Sequence, residues 1–106
     1  MKYIIASITV AAGLTLAGAS IAVDMPAVAK NNGCANCHTI DKNLVGPAWQ
    51  AVADKYKGDA GAAEKLGAKI VKGGGGVWGT IPMPPAAKIT DAEVKEVVTF
   101  ILGLAK

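Results

Sequence analysis

Beyond residue 22, apolar positions recur at intervals of three and four along much of the chain. This spacing gathers them on one face of an α-helix. The pattern predicts four helices, which run from Asp24 to about Asn32, over residues 48–56, over residues 60–72, and from Thr90 towards the C-terminus. No stretch alternates apolar and polar residues as a half-buried strand would. The predicted fold class is therefore all-α.

The boundaries of these helices carry signals of their own. Asp24, followed by Pro26, is typical of a capped helix start, and Gly33 is placed to end the first helix. Four consecutive glycines at residues 73–76 cannot hold a helix, so residues 73–89 are predicted to be irregular. Thr90-Asp91-Ala92-Glu93 has the spacing of a capping box. The inward-facing positions are expected to be Ala62, Ala63, Leu66, Ile70 and Val71 in the third helix, and Val94, Val97, Val98, Ile101 and Leu102 in the fourth.

Residues 1–22 have one early charge, Lys2, followed by an uncharged apolar run. Ser20 and Ala22 stand where a signal peptidase expects small residues, so we interpret residues 1–22 as a secretory signal peptide. The alternative is a transmembrane anchor, because the run approaches the ~20 residues that span a bilayer. Cleavage would leave one domain, residues 23–106, in the bacterial periplasm without membrane attachment.

The composition of residues 23–106 indicates that something other than side chains fills the centre. In a domain of 84 residues, the hydrophobic core alone provides only marginal stability. Small apolar residues abound in it, and its aromatic residues are only Trp49, Tyr56, Trp78 and Phe100. Ten lysines against eight acidic residues give a formal charge of +2, and there is no arginine. Nucleic-acid binding is not expected, since it needs a clustered basic face.

Both cysteines and the only histidine fall in one pentapeptide, Cys34–His38, with the sequence CANCH. The spacing C-x-x-C-H is that of a covalent attachment site for c-type haem. Cys34 and Cys37 would bond to the porphyrin vinyl groups, and His38 would ligate the iron. A structural zinc site needs four ligands, and a thioredoxin-like dithiol expects a βαβ setting. A disulfide across so short a loop would stabilise little and would leave the histidine unexplained. The haem interpretation accounts for all three side chains.

A haem that only transfers electrons needs a second axial ligand, and Met83 is the candidate. Met1 belongs to the predicted signal peptide, and Met25 falls in the first turn of a helix, where packing is the ordinary role. Met83 lies between prolines in IPMPP, residues 81–85, a segment that excludes a helix or a central strand. Those prolines stiffen the loop and lower the entropy lost in holding a weak thioether ligand. Ligation by His and Met raises the haem potential.

Three segments together, CANCH, Gly46-Pro47-Ala48 and GVWGTIPMPP at residues 76–85, resemble the class I cytochromes c. The resemblance is to their small bacterial monohaem type, and it covers essentially all of residues 23–106. It implies a small all-α fold of about four helices wrapped around one covalently bound haem, with the methionine-bearing loop before the C-terminal helix.

The resemblance also implies a role for each matching residue. Cys34 and Cys37 form the thioethers, and His38 and Met83 ligate the iron. The Pro47 carbonyl accepts the N–H of the His38 ring, which orients that ring. The Trp78 indole donates to a haem propionate.

Three positions depart from the family pattern. Ala29 stands where relatives often have a phenylalanine, which suggests a looser contact near the first helix. Lys69 stands where relatives commonly have an arginine near the propionates. Ala86 stands where they often have an asparagine that hydrogen-bonds the methionine sulfur. Without that bond the sulfur donates more freely to iron, so we expect a potential different from that of those relatives.

The expected function is that of a monomeric periplasmic electron carrier and not an enzyme. It would pass single electrons between respiratory or photosynthetic partners, such as a quinol-oxidising complex and a terminal oxidase or nitrite reductase, through transient contacts. Lysines could steer acidic partners, the candidates being Lys42, Lys55, Lys57, Lys72 and Lys88. The alternatives are a haem enzyme or gas sensor with an open distal site, and a tethered redox subunit that keeps residues 1–22 as an anchor.

Overall fold

The computed structural model describes Gly13 and residues 23–106; the predicted signal peptide, apart from Gly13, lies outside the described residues. Residues 23–106 form helices α1 (Ala27–Asn31), α2 (Trp49–Lys55), α3 (Ala62–Lys72) and α4 (Asp91–Leu102), with a short 3-10 helix at Cys34–Asn36. This part of the chain contains no strand, and residues 73–89 are irregular. The all-α prediction is confirmed. No helix in residues 23–106 has the length and apolar character needed to cross a membrane.

Helix α4 lies at the centre of the domain, in contact with the other three helices. Its apolar stripe places Val97, Val98 and Ile101 in the core, while Val94 and Leu102 pack half-buried at the edge. Each of the other helices supplies small or branched apolar residues against this stripe, namely Ala29, Val52, Leu66 and Ile70. The spacing of apolar residues therefore predicted the core face of α4.

The N-terminus of α4 is held by the predicted capping box. The Thr90 hydroxyl accepts the Glu93 N–H at 3.2 Å, and the Glu93 carboxylate accepts the Thr90 N–H at 3.0 Å. The second carboxylate oxygen of Glu93 accepts an N–H of the Asn32 amide at 3.2 Å. Since Asn32 ends α1, one carboxylate caps α4 and joins it to α1.

Two details of the predicted helices are wrong. Pro26, not Asp24, is the N-cap of α1, and the Asp24 carboxylate instead accepts the Met25 N–H at 2.9 Å and pairs with Lys30 at 3.0 Å. Ala63 and Val71 are exposed. Ala62, Leu66 and Ile70 are spaced four residues apart and are buried. Ala63 and Val71 each follow one of these residues by one position, which places them about 100° away around the helix axis.

Candidate functional site

A cavity of about 380 Å³ is bounded by the 3-10 helix, by α2, α3 and α4, and by residues 74–86. Its walls are mainly apolar, with Trp49, Val52, Leu66, Ile70, Val97 and Ile101 contributed by the three longer helices. The volume falls in the range of about 300–1,000 Å³ typical of cofactor and small-molecule sites. All the predicted site residues line this one cavity: Cys34, Cys37, His38, Pro47, Trp78 and Met83.

The His38 ring is fixed from two sides. Its Nδ1 lies 2.8 Å from the Pro47 carbonyl oxygen. A carbonyl only accepts hydrogen bonds, so Nδ1 carries the proton and Nε2 keeps the lone pair that a metal binds. The buried Trp49 ring packs beside the imidazole at a centroid distance of 5.9 Å, and Phe100 of α4 packs edge-on against Trp49 at 5.8 Å. The position of His38 is thus tied to the helical core.

Local backbone bonds hold the two thiols next to His38. Gly33, at φ +78°, turns the chain into the 3-10 helix, and the Cys34 carbonyl accepts the N–H groups of Cys37 and His38 at 3.2 and 2.9 Å. Both cysteines are free and half-buried. Burial raises the pKa of the Cys34 thiol above its ordinary value of 9.0, so the thiol is protonated at neutral pH.

The zinc alternative finds no support in the described part of the chain. There, no group of three or more His, Cys, Asp or Glu side chains is arranged so that it could hold a metal ion. The disulfide alternative is not formed either, since both thiols are free.

Met83 is held by backbone pairing with the glycine run. Gly74 N–H donates to the Met83 carbonyl at 3.0 Å, and Met83 N–H donates to the Gly74 carbonyl at 2.7 Å, which makes an isolated antiparallel bridge. Three residues later, Ala86 N–H donates to the Ile70 carbonyl of α3 at 2.9 Å. The Met83 side chain is half-buried and packs against the core, whereas Met25 is buried in the core and does not line the cavity.

Trp78 lies at the far end of this loop and is 45% exposed. The Lys55 ammonium, at the end of α2, lies 5.5 Å from the centroid of its ring. Lys69 of α3, which stands where relatives commonly have an arginine, also lines the cavity. Its side chain lies across Gly74: a Cβ added to Gly74 would be 2.7 Å from Lys69 Nζ.

Three contributors to this site were not predicted from sequence. The sequence identifies Gly74 only as a helix breaker, Gly46 only as part of a family segment, and Lys55 only as a surface charge. An added Cβ on Gly46 would lie 2.5 Å from the His38 ring, so only glycine fits there. Gly46 and Gly74 themselves stand out in the sequence. Their partners, His38 and Met83, lie eight and nine residues away, so no local sequence pattern identifies them.

The cytochrome c family model matches residues 23–105. The chain belongs to the cytochrome c family. Among the relatives of this cytochrome, cytochrome c-551 of Allochromatium vinosum is 49% identical over 77 residues, which cover 73% of this chain and 82% of that protein. Cytochrome c-552 of Hydrogenobacter thermophilus is 41% identical over 103 residues, 97% of each chain. The crystal structure of wild-type cytochrome c552 from Nitrosomonas europaea matches with a TM-score of 0.71 and 44% identity, over 73% of this chain and 95% of that one.

These similarities confirm the resemblance to small class I cytochromes c and the fold that it implied. This cytochrome is an electron-transfer protein rather than an enzyme, and its cofactor is covalently attached haem c with its iron.

The residues around the cavity fit that cofactor. The cavity offers two free thiols beside a histidine whose Nε2 lone pair is available, a thioether on the loop at residues 73–89, and apolar walls for a flat macrocycle. A covalent c-type haem needs these chemical groups.

Proposed function

We propose that this cytochrome is a periplasmic carrier of single electrons in which His38 and Met83 are the two axial ligands of the haem iron. The observation that carries the proposal is the arrangement of the cavity. It brings together a histidine whose Nδ1 proton faces the Pro47 carbonyl and the methionine that is paired with Gly74. Cys34 and Cys37 would hold the macrocycle through thioethers.

When bound, the haem supplies the exchange of one electron between ferrous and ferric iron. The chain's own residues then determine how easily that exchange occurs. The Pro47 carbonyl polarises the His38 ring and increases its donation to the metal. The Met83 thioether is a weak neutral donor that favours the ferrous state and raises the potential. Buried Trp49, Val52 and Leu66 give the cavity apolar walls, which disfavour water there.

Contacts on both sides of the site limit rearrangement. His38 is restrained by Pro47 and Trp49, and Met83 by Gly74. Two occupied axial positions would leave no coordination position for a substrate, which is the property that separates a carrier from a haem enzyme or gas sensor. Trp78 and Lys69 are the residues of the cavity that would interact with the propionates.

Replacing Met83 tests this ligand assignment. Met83→Ala is expected to remove the weak red absorption band of the ferric protein, which arises from charge transfer between sulfur and iron, and to allow rapid carbon monoxide binding after reduction. Met25→Leu is the matched control, because Met25 is the other methionine of residues 23–106 and lies in the core. A spectrum left untouched by Met83→Ala would refute the ligation, and an absent band in the unmodified protein would favour the open distal site.

Export to the periplasm is the second part of the proposal. It is supported by the signal-peptide pattern of residues 1–22, with residues 23–106 as the mature haem domain. The mass of the protein purified from the periplasm should correspond to a chain that begins at Val23 with one haem attached. A mass that retains residues 1–22 would favour the tethered redox subunit.

Recognition of redox partners is the third part. All five lysines proposed to steer acidic partners are exposed. Two have contacts of their own, since Lys55 lies over Trp78 and the Lys57 ammonium contacts the Lys106 carbonyl. Lys42, Lys72 and Lys88 are therefore the first to test. With an acidic redox partner, the rate of electron transfer should fall as salt increases, and charge-neutralising variants should weaken that dependence. We expect the cytochrome to remain a monomer.

A further inference from the structure

Lys55 and Trp78 join two parts of the cytochrome that are distant in sequence. The Lys55 ammonium lies 5.5 Å from the centroid of the Trp78 ring, within the distance of about 6 Å at which a cation is attracted to an aromatic face. Lys55 is the last residue of α2, and Trp78 lies in the loop that carries Met83.

This contact links the two walls of the cavity. Helix α2 begins two residues after Pro47, whose carbonyl faces His38, and its Trp49 and Val52 line the cavity. The opposite wall is the loop at residues 73–89. The base of this loop is held to α3 by Ala86, while at its tip Gly76 N–H donates to Gly79 within the loop itself. The contact with Lys55 ties that tip to α2.

The surroundings of Lys55 leave its ammonium available to the indole. The ion pairs of residues 23–106 are formed by other lysines, Lys30 with Asp24 and Lys65 with Asp59. The neighbouring Asp54 carboxylate accepts hydrogen bonds from the Gln50 amide and the Lys106 N–H, and within residues 23–106 it forms no ion pair with Lys55.

We propose that Lys55 is a positioning residue that holds Trp78 over the cavity and so keeps the Met83 loop closed on it. Lys55 then acts through Trp78 and touches neither the cofactor nor the iron. The inference rests on the proposed ligation by Met83, because displacement of that sulfur is the event that reports opening of the loop.

The test measures entry of imidazole into the ferric holoprotein, with displacement of the Met83 sulfur followed by loss of the red band. Imidazole is used because its neutral form is not steered by the lost charge. Lys55→Met removes the cation and keeps the chain length, and it should speed entry about two- to fivefold, the factor that an exposed cation–π contact is worth. Lys55→Arg retains a cation that stacks on aromatic faces and should restore the unmodified rate. Lys95→Met, which removes an exposed lysine of α4, is the control for charge.

A second measurement does not depend on iron ligation. Hydrogen exchange of the Trp78 indole N–H, followed by NMR in the reduced protein, should quicken in Lys55→Met by a similar factor and stay unchanged in Lys95→Met. Equal imidazole entry in Lys55→Met and Lys95→Met, or an equal increase in Lys55→Met and Lys55→Arg, would overturn the positioning role. If the red band is present in all variants, loss of the positioning role leaves the assignment of Met83 as a ligand intact. If the red band is absent from the unmodified protein, both the Met83 assignment and the positioning role of Lys55 are refuted.

Discussion

Gly46 and His38 approach so closely that no side chain fits between them: a Cβ on Gly46 would lie 2.5 Å from Cε1 and 2.9 Å from Nδ1 of the imidazole. Gly46 cannot move away freely. Its N–H donates to the Cys37 carbonyl at 2.7 Å, and its own carbonyl accepts the Leu44 N–H at 3.0 Å. The absent side chain at residue 46 therefore makes room for the ring that faces Pro47.

Gly46→Ala should displace His38 and lower the free energy of unfolding by about 1–3 kcal/mol, the usual cost of overpacking. Guanidinium titration followed by far-UV circular dichroism measures this. Gly67→Ala is the matched control: Gly67 lies inside α3, its Cβ would meet Val94 at an ordinary 3.4 Å, and removing a helical glycine should stabilise by about 0.5–1 kcal/mol. Equal effects of the two substitutions would show that His38 does not depend on Gly46.

Gly73→Ala should be among the more damaging substitutions in the methionine loop. Gly73 has φ +69°, and an added Cβ would lie 2.4 Å from the Met83 carbonyl oxygen and 2.9 Å from Pro85 N. The left-handed backbone costs about 1–2 kcal/mol and the clash about 1–3 kcal/mol, so a loss of roughly 2–5 kcal/mol is expected.

Gly76→Ala separates these two contributions. Gly76 has φ +88° and nothing within 4 Å of its added Cβ, so only the backbone cost of about 1–2 kcal/mol applies. The free energies of unfolding of both variants, measured alongside the red band of the ferric protein, distinguish the cases. The band should weaken in Gly73→Ala and persist in Gly76→Ala; the reverse order would contradict the role given to the Gly74–Met83 bridge.

Stability should fall in acid partly through Glu93. Hydrogen bonds from the Thr90 backbone N–H and the Asn32 amide lower the pKa of this carboxyl below its ordinary value of 4.5. A group whose folded pKa is lowered stabilises the fold above its unfolded pKa and loses that contribution as pH falls through the folded pKa. Glu93→Gln should therefore flatten the decline of unfolding free energy below about pH 4.5, as denaturant titrations at several pH values would show. Glu96→Gln removes an exposed carboxylate of the same helix and controls for charge; identical pH slopes in the two variants would argue against Glu93.

Ala86→Asn should raise the haem potential. An amide donating to the Met83 sulfur would withdraw electron density from it and disfavour ferric iron. A hydrogen bond contributes about 0.5–1.5 kcal/mol, which for one electron is on the order of tens of millivolts, since tenfold in the equilibrium corresponds to about 59 mV. Ala87→Asn, at the exposed neighbouring position, is the control for a redox titration. A potential unchanged by Ala86→Asn would dismiss the idea that the alanine tunes this site.

Much of the fold could be predicted because its determinants are local. The periodic apolar residues of α3 and α4 need only their own spacing to define a helix face, and Thr90 and Glu93 cap α4 through contacts three residues apart. The prediction that Asp24 caps α1 failed for a physical reason. The Asp24 carboxylate pairs with the nearby Lys30 ammonium and not with the helix amides beyond Pro26.

The candidate site could be predicted where its reactive side chains lie in short contiguous segments, as in CANCH and IPMPP. Of its supports, the Pro47 carbonyl that faces the His38 ring was expected from the family resemblance. The other supports were not predicted, because they are tertiary. Nothing near Gly74 indicates that it pairs with Met83, and Lys55 looks like any solvent-exposed lysine until the fold brings it over Trp78.

The bridge between Gly74 and Met83 also explains why a methionine should stand between two prolines. If the loop slipped by one residue in either direction, Pro82 or Pro84 would face Gly74, and neither has an amide hydrogen to offer the glycine carbonyl. Each one-residue slip would lose the hydrogen bond to the Gly74 carbonyl, so the flanking prolines favour the alignment that places the Met83 thioether at the cavity.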